Sequence, residues 1–245
     1  IVWMFRKYSE DYWFSIFLFI ASTDYISWTF NGIRQFTAVV IAYAATPFIL
    51  KKKYIPSILL ILLASTMHQS VLLMIPIIFI IQGKAWNKKT VLCILACLTA
   101  LLFVDHFTDI MDSMLAETQY RNVVSDYKSW NDDGTNPLRV LVYSIPMILS
   151  LIGLKYVQAE DDPMINTAVG ASAIVCGLYV ISMVTSGIFL GRLPIYISLW
   201  SQCILLPWEI KHMFTEKSAR LVKIIAICCY CVFFYFQMHF TWGIL

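Results

Sequence analysis

Three short polar segments interrupt long apolar stretches of the sequence, and each contains a residue that could take part in chemistry. They are Asn31-Gly-Ile-Arg-Gln35, Met67-His-Gln-Ser70 and Gly191-Arg-Leu-Pro194. A charged residue inside a membrane span costs at least ~2.5 kcal/mol on insertion scales, so such residues usually have a function. A guanidinium group matches two phosphate oxygens, and a neutral imidazole can accept a proton. These side chains therefore predict a site that binds phosphate and moves a proton.

Arg34 opens an apolar run and has two polar neighbours, Asn31 and Gln35. An arginine at a membrane interface can simply extend its charge to the lipid headgroups. That alternative does not explain why Asn31, Arg34 and Gln35 cluster so closely around Gly32. We interpret Arg34 as a bidentate phosphate anchor, with Gln35 as a neighbouring ligand and Asn31 as a substrate contact.

Arg192 lies just before Pro194, a residue suited to the first turn of a helix. Because helix N-termini attract phosphate through free N–H groups and the macrodipole, Arg192 is predicted as a second phosphate ligand. Tyr196 follows one turn later on the same face, as either a substrate contact or an interfacial tyrosine. Arg139 follows the turn at 134–137 and is either a third phosphate ligand or an interfacial arginine.

His68 interrupts the long apolar run 54–82, which also contains Pro56 and Pro76. A lone buried histidine is often only a hydrogen-bonded core residue. At an interruption of the run, however, a neutral imidazole could accept the proton of an attacking hydroxyl. We therefore predict His68 as a general base and its neighbour Gln69 as a substrate contact.

The polar segment 105–136 has two possible functions. Its acidic and histidine side chains could suggest a metal site, but its apolar residues recur with a helical period. That period favours an amphipathic helix over about 105–118 that lies on the outer membrane surface with a solvated acidic face. Further along, Asp126 and Trp130 are candidate sugar contacts, through a carboxylate hydrogen bond and ring stacking.

The composition excludes a soluble protein. The chain is 60% hydrophobic and only 13% charged, with a mean hydropathy of +0.73, whereas soluble domains carry about a quarter charged residues. The net charge is +3, and the basic residues are scattered in short groups beside the apolar runs. This distribution excludes a nucleic-acid-binding surface. The seven cysteines all fall in apolar runs and are predicted as inert, buried thiols, with no metal or other cofactor.

The apolar runs predict an all-α polytopic membrane protein with about seven spanning helices. If run 54–82 crosses the membrane once, nine of the 18 basic residues lie inside, which is no bias. If it dips in and returns as a re-entrant helical hairpin, 13 lie inside and five outside, in agreement with the positive-inside rule. The hairpin is therefore preferred, because re-entrant backbone is tolerated where it is buried in protein. It places Arg34, His68, Arg139 and Arg192 at the outer face, below the outer loop 105–136.

The three polar segments, in this order and spacing, resemble the EpsG/Wzy-type polysaccharide polymerases of capsule, exopolysaccharide and O-antigen synthesis. Asn136-Pro-Leu-Arg139 after a polar loop fits as well, and the resemblance covers roughly 30–210. It implies a metal-independent glycosyltransferase with a GT-C-like helical bundle on the outer side of the bacterial cytoplasmic membrane. Arg34, Gln35, Arg139 and Arg192 would then bind the diphosphate of an undecaprenyl-diphosphate-linked oligosaccharide.

The resemblance implies further partners, and two alternatives stay open. A flippase and a chain-length regulator are expected beside membrane lipid and the lipid-linked substrate. The alternatives are an O-antigen-type ligase and a flippase or transporter of the same lipid-linked glycan. We expect one transmembrane domain over 1–245, and the ends at Ile1 and Leu245 favour a fragment of a longer protein.

Overall fold

Helices form every regular element in the part of the chain that the structure describes. The structure is a computed structural model, and it describes residues 1–23, 26, 30, 32–115, 134–187 and 189–244. The helices are α1 (Val2–Tyr8), α2 (Tyr12–Ala21), α3 (Ile33–Leu50), α4 (Tyr54–Ser65), α5 (Gln69–Ile80), α6 (Lys88–Leu102), α7 (Val104–Leu115), α8 (Pro137–Ile152), α9 (Leu154–Glu160), α10 (Pro163–Met183), α11 (Ile195–Trp200, a π-helical turn Ser201–Leu205 and Leu206–His212) and α12 (Glu216–Thr241).

Three of these helices, α3, α10 and α12, are long and apolar enough to cross a membrane. The number rises to five if each of two bent pairs, α6 with α7 and α8 with α9, counts as one span. Helices α2, α4 and α5 are apolar but shorter. The structure thus confirms an all-helical protein with several candidate membrane spans, while the predicted number of about seven stays a prediction.

Helix α10 lies at the centre of the bundle, and 78% of its apolar stretch is buried, compared with 22% for α12. Small residues permit this packing, because they let neighbouring backbones approach closely. A Cβ added at Gly170 would lie 3.1 Å from the Cα of Ile81, and one at Gly177 would lie 2.5 Å from the Sγ of Cys97. Helix α10 therefore forms the centre of the fold, and neighbouring segments pack closely against its glycines.

The segment 54–82 forms a hairpin whose two arms, α4 and α5, return to the same end of the bundle. The rings of Tyr54 and Phe79, near the open ends of the arms, stack with centroids 4.7 Å apart. Just beyond, the buried Nε2 of Gln82 donates to the carbonyl of Ile49, at 2.8 Å. The helical hairpin predicted for 54–82 is therefore present in the structure, with His68 in the turn between its arms.

Polar contacts divide the bundle into two opposite ends. At one end, which we call the lysine-rich end, Lys84 pairs with Asp161 at 3.2 Å, Lys211 with Glu10, and Lys223 with Asp11. At the other, which we call the site end, Gln35 contacts Arg192, Arg139 contacts Thr23, and Thr135 contacts Ser182. The contacts named at the lysine-rich end join residues that the hairpin topology assigns to the inner side, and those named at the site end join residues that it assigns to the outer side.

The structure agrees with the sequence on helix α7 but not on the burial of the cysteines. Helix α7 occupies most of the range predicted for the interfacial helix, and its axis turns by 102° from that of α6. The expectation that the cysteines are buried is wrong for Cys228, Cys229 and Cys231, which are exposed. The reason is that α12 packs against the bundle along one face only, so its apolar run leaves most side chains uncovered.

The hairpin makes a prediction about membrane sidedness. In a background without native cysteines, Lys51→Cys and Lys84→Cys should react with a membrane-impermeant thiol reagent from the same side, because both flank the open end of the hairpin. Phe30→Cys should react from the opposite side, since Phe30 is 81% exposed and lies next to the site end. Labelling of intact cells and of inverted vesicles measures this, and Lys51 and Lys84 on opposite sides would contradict the hairpin.

Candidate functional site

The turn between the two arms of the hairpin places His68 next to two hydroxyl groups. The Nδ1 of His68 lies 2.7 Å from the Oγ of Ser70, and that Oγ lies 2.8 Å from the hydroxyl of Tyr196. The Tyr196 hydroxyl also lies 3.4 Å from Nδ1. The three side chains form what we call the His68 cluster, which joins the hairpin to α11.

Local backbone structure explains why His68 occupies this turn. Helix α4 ends at Ser65, and His68 has an extended conformation with φ −155° and ψ 119° before the 3₁₀ turn that opens α5. The backbone N–H of His68 still donates to the carbonyl of Ala64, at 3.2 Å. The helix therefore ends tightly and fixes the imidazole position, while Gln69 beside it is exposed.

Gln35 joins the start of α3 to the segment that carries Arg192. Its Nε2 donates to the carbonyl of Arg192 at 3.3 Å, and the side chain is only 4% exposed. Further along α3, the hydroxyl of Tyr43 donates to the carbonyl of Ile195 at 3.3 Å and accepts from the N–H of Leu199 at 3.0 Å. The Gln35 amide therefore positions the Arg192 backbone, and its role as a phosphate ligand stays a prediction.

Arg34 and Arg192 both act electrostatically on His68. Arg34 is exposed and Arg192 half-buried, so their guanidinium groups lie at different depths of the site end. The turn of His68 lies outside the candidate spans. There, partial burial and then the charges of Arg34 and Arg192 lower the pKa of His68. The protonated form of the imidazole is therefore disfavoured beside these two cations.

Arg139 lies at the same end of the bundle, in the first turn of α8. The side chain of Asn136 caps this helix by accepting from the N–H of Leu138 at 2.9 Å. The Nη2 of Arg139 donates to the Oγ1 of Thr23 at 3.1 Å, and its Cζ lies 5.7 Å from the ring centre of Tyr143. These contacts attach Arg139 to the end of α2, so its role as a third phosphate ligand stays a prediction.

Glycines let two loops of the site end approach backbone to backbone. A Cβ added at Gly191 would lie 2.4 Å from the Oγ1 of Thr135, and one at Gly187 would lie 2.7 Å from the carbonyl carbon of Gly134. Thr135 also donates its N–H to the Ser182 carbonyl at 2.9 Å. This junction fixes the segment of Arg192 against the entry to α8.

The sequence-predicted site residues differ in how the structure places them. Gln35 contacts the Arg192 carbonyl, and the charges of Arg34 and Arg192 act on His68, while the roles of these residues in binding and catalysis stay predictions. Tyr196 is fully buried, and its hydroxyl bonds within the protein rather than facing a substrate. The predicted substrate contacts Asn31, Asp126 and Trp130 lie outside the described residues.

Sequence reasoning missed Ser70, Thr135 and Ser182 as residues of the site end. Ser70 follows His68 by two positions, and that short spacing is a usable signal for a side-chain contact. Thr135 and Ser182 meet only through a long-range contact, for which the sequence offers no local signal. Their positions follow from the close approach of the glycines that flank them.

The described residues contain no group of three His, Cys, Asp or Glu side chains placed to hold a metal ion. Around His68, the site end offers the guanidinium groups of Arg34 and Arg192, the imidazole itself and the two hydroxyl groups bonded to it. Such an arrangement can bind a multiply charged anion and accept one proton next to it.

Comparison with known proteins identifies one family. The sequence profile of the EpsG family matches residues 1–242, which is nearly the whole chain. No curated protein and no solved structure matches the chain. The matched range includes all three polar segments, the second of which lies in the turn of the hairpin. The chain therefore belongs to the EpsG family, a polysaccharide polymerase-type family.

Proposed function

We propose that this protein polymerises lipid-linked oligosaccharide repeat units. It transfers a glycan from undecaprenyl diphosphate to a sugar hydroxyl of another lipid-linked repeat. The observation that carries this proposal is the electrostatic convergence of Arg34 and Arg192 on His68. Membership in a polymerase-type family supports the same conclusion.

Each part of the reaction has a corresponding group at the site end. The bond between the anomeric carbon and the diphosphate oxygen breaks, and negative charge develops on that oxygen. Fixed cations stabilise such charge without supplying a proton, which is the role of Arg34 and Arg192. The acceptor hydroxyl forms the new bond to the anomeric carbon and gives its proton to His68. No metal ion takes part in this scheme.

The two hydroxyl groups of the His68 cluster determine which imidazole nitrogen is available to the acceptor. When Nδ1 carries the proton, it donates to Ser70, and the Ser70 hydroxyl donates to that of Tyr196. Nε2 then keeps its lone pair and can serve as the base. Ser70 and Tyr196 are thus positioning residues, because they act on the imidazole rather than on the substrate.

The membrane arrangement follows from the two ends of the bundle. We infer that the lysine-rich end faces the bacterial cytoplasm and the site end faces outward, in a GT-C-like bundle of about seven spans. The hairpin would then be re-entrant from the inside, and α7 would lie on the outer surface below the outer loop. A flippase that delivers repeat units and a chain-length regulator are the expected partners.

Replacement of Arg192 tests the proposal most directly. Arg192→Ala should abolish long polysaccharide in producing bacteria while single lipid-linked repeat units persist, because the leaving diphosphate loses a cation. Losing one such electrostatic group costs on the order of 10²–10³ in rate. Gel analysis of extracted polysaccharide and of the lipid fraction measures this outcome.

The matched control is Arg220→Ala, which removes an exposed arginine at the lysine-rich end and should leave chain length normal. Normal chain length in the Arg192 variant, at normal protein level in the membrane, would contradict the proposal. Intact polymerisation with lost attachment of finished glycan would instead identify a ligase.

A second prediction concerns Ser70. Ser70→Ala should lower the rate roughly tenfold with little change in KM, as expected when one hydrogen bond that orients the base is lost. Ser70→Thr should restore most of the rate, and Tyr196→Phe should resemble Ser70→Ala. The assay uses membranes and repeat units extracted from a polymerase-deficient strain.

Ser65→Ala is the control for this series, because the Ser65 hydroxyl bonds to the Leu62 carbonyl of its own helix at 2.7 Å. Wild-type rates for both Ser70→Ala and Tyr196→Phe would refute the positioning role. A purely structural role would lower the amount of protein in the membrane without changing the rate per molecule.

The lowered pKa of His68 predicts the pH dependence of the reaction. Activity should persist below pH ~6.5, the ordinary pKa of histidine, and fall only when the pH drops further, since the base must be neutral. Arg34→Gln removes a positive charge, so it should raise the pKa of His68 in the free protein and move the acid limb of kcat/KM to higher pH. If the acid limb of the pH profile does not move in this variant, the result argues against His68 as the base.

A further inference from the structure

Six lysines gather at the open end of the hairpin, at the end opposite to His68. The sequence places them in two groups, on the two sides of the segment 54–82. All of them are exposed in the structure. We call them the hairpin-base surface: Lys51, Lys52, Lys53, Lys84, Lys88 and Lys89.

Three contacts hold the two groups together. The Gln82 amide donates to the Ile49 carbonyl at 2.8 Å, and the Tyr54 and Phe79 rings stack at 4.7 Å. In addition, the Nζ of Lys89 reaches back to the carbonyl of Phe79 at 2.9 Å. The closed hairpin therefore builds one basic surface from two separate parts of the sequence.

The backbone of this surface holds unusual conformations. Lys52 and Trp86 have positive φ values, of 54° and 56°, which non-glycine residues rarely adopt. Such conformations are costly and persist only where surrounding contacts fix them. One such contact joins the N–H of Ala85 to the Oδ1 of the buried Asn166, at 2.7 Å. The lysines are thus presented on defined turns rather than on a loose linker.

Acidic neighbours offset only part of the positive charge. Asp161 accepts from Asn166 at 3.0 Å and pairs with Lys84 at 3.2 Å. The hydrogen bond from Asn166, and then the contact with Lys84, hold the pKa of Asp161 below its usual range. With the flanking Glu160 and Asp162, three carboxylates face six lysines, so the surface keeps a net positive charge.

Aromatic side chains accompany these lysines. Tyr54 adjoins Lys53, and the half-buried Trp86 lies between Lys84 and Lys88. Tyrosine and tryptophan are enriched where a membrane protein meets the lipid headgroups. Lysines beside tyrosine and tryptophan are typical of headgroup level, where anionic lipids attract a basic cluster.

We propose that the hairpin-base surface binds the headgroups of anionic phospholipids in the membrane leaflet that it faces. Each lysine near such a leaflet strengthens binding by roughly fivefold, and several lysines on fixed turns bind together. The bound lipid would hold the open end of the hairpin, whose turn carries His68. The proposal concerns a lipid site and does not depend on the reaction at the site end.

The test compares phosphatidylglycerol with phosphatidylcholine on the purified full chain in a neutral detergent. Native mass spectrometry counts the lipid molecules retained, and a titration yields the apparent affinity. Phosphatidylglycerol should bind at least tenfold more tightly than phosphatidylcholine. Equal amounts of inorganic phosphate should not displace it, because the partner is a lipid surface rather than a free anion.

Two charge-matched variants decide whether the location is right. Lys51→Gln/Lys52→Gln/Lys53→Gln should weaken phosphatidylglycerol binding at least tenfold. Arg6→Gln/Lys217→Gln/Arg220→Gln removes three exposed charges elsewhere at the lysine-rich end and should weaken it less than twofold. Asp161→Asn should strengthen binding, because it removes a negative charge from the surface.

Equal losses in the two triple variants, or equal affinity for the two lipids, would overturn the proposal. If the first triple variant does not fold, Lys88→Gln/Lys89→Gln serves in its place and should weaken binding at least fivefold. An unchanged affinity in that double variant, in folded protein, would likewise overturn it.

Discussion

The closure of the hairpin is the constraint on which the rest of the structure depends. The Gln82 amide bonds to the Ile49 carbonyl, and the Tyr54 and Phe79 rings stack beside it, so the chain returns to the end from which α4 departs. An unsatisfied buried polar group costs roughly 1–3 kcal/mol, so the Gln82–Ile49 bond favours the closed hairpin over an arrangement that separates the two residues. Had 54–82 crossed instead, every later helix would be inverted, and Arg192 would lie at the end opposite to Arg34.

The sequence predicted this closure from charge alone. The distribution of lysines and arginines favoured a hairpin, and the structure has one with His68 in its turn. It also predicted that Arg34 and Arg192 share a site with His68, because each interrupts an apolar run. The predictable features were charged and polar residues inside apolar runs. Such residues are costly in a membrane, so they stand out in the sequence.

The contacts that complete the site were harder to predict, because they depend on three-dimensional approach. Tyr196 looked like a substrate contact, yet it is buried and bonds to Ser70. The meeting of Thr135 with Gly191 has no sequence signal beyond a glycine, because a glycine in a sequence does not show which residue approaches it. Likewise, hydropathy did not distinguish the central α10 from the peripheral α12, since their apolar stretches have similar mean hydropathies, of 1.8 and 2.0.

The two guanidinium charges beside His68 imply a coupling between substrate binding and proton affinity. These charges oppose protonation of the imidazole. A bound diphosphate would compensate these charges, so the same ring would hold a proton more strongly once the leaving group is in place. By thermodynamic reciprocity, a protonated His68 would in turn retain the diphosphate more tightly. The proton taken from one sugar would thus help to hold the group released from the other.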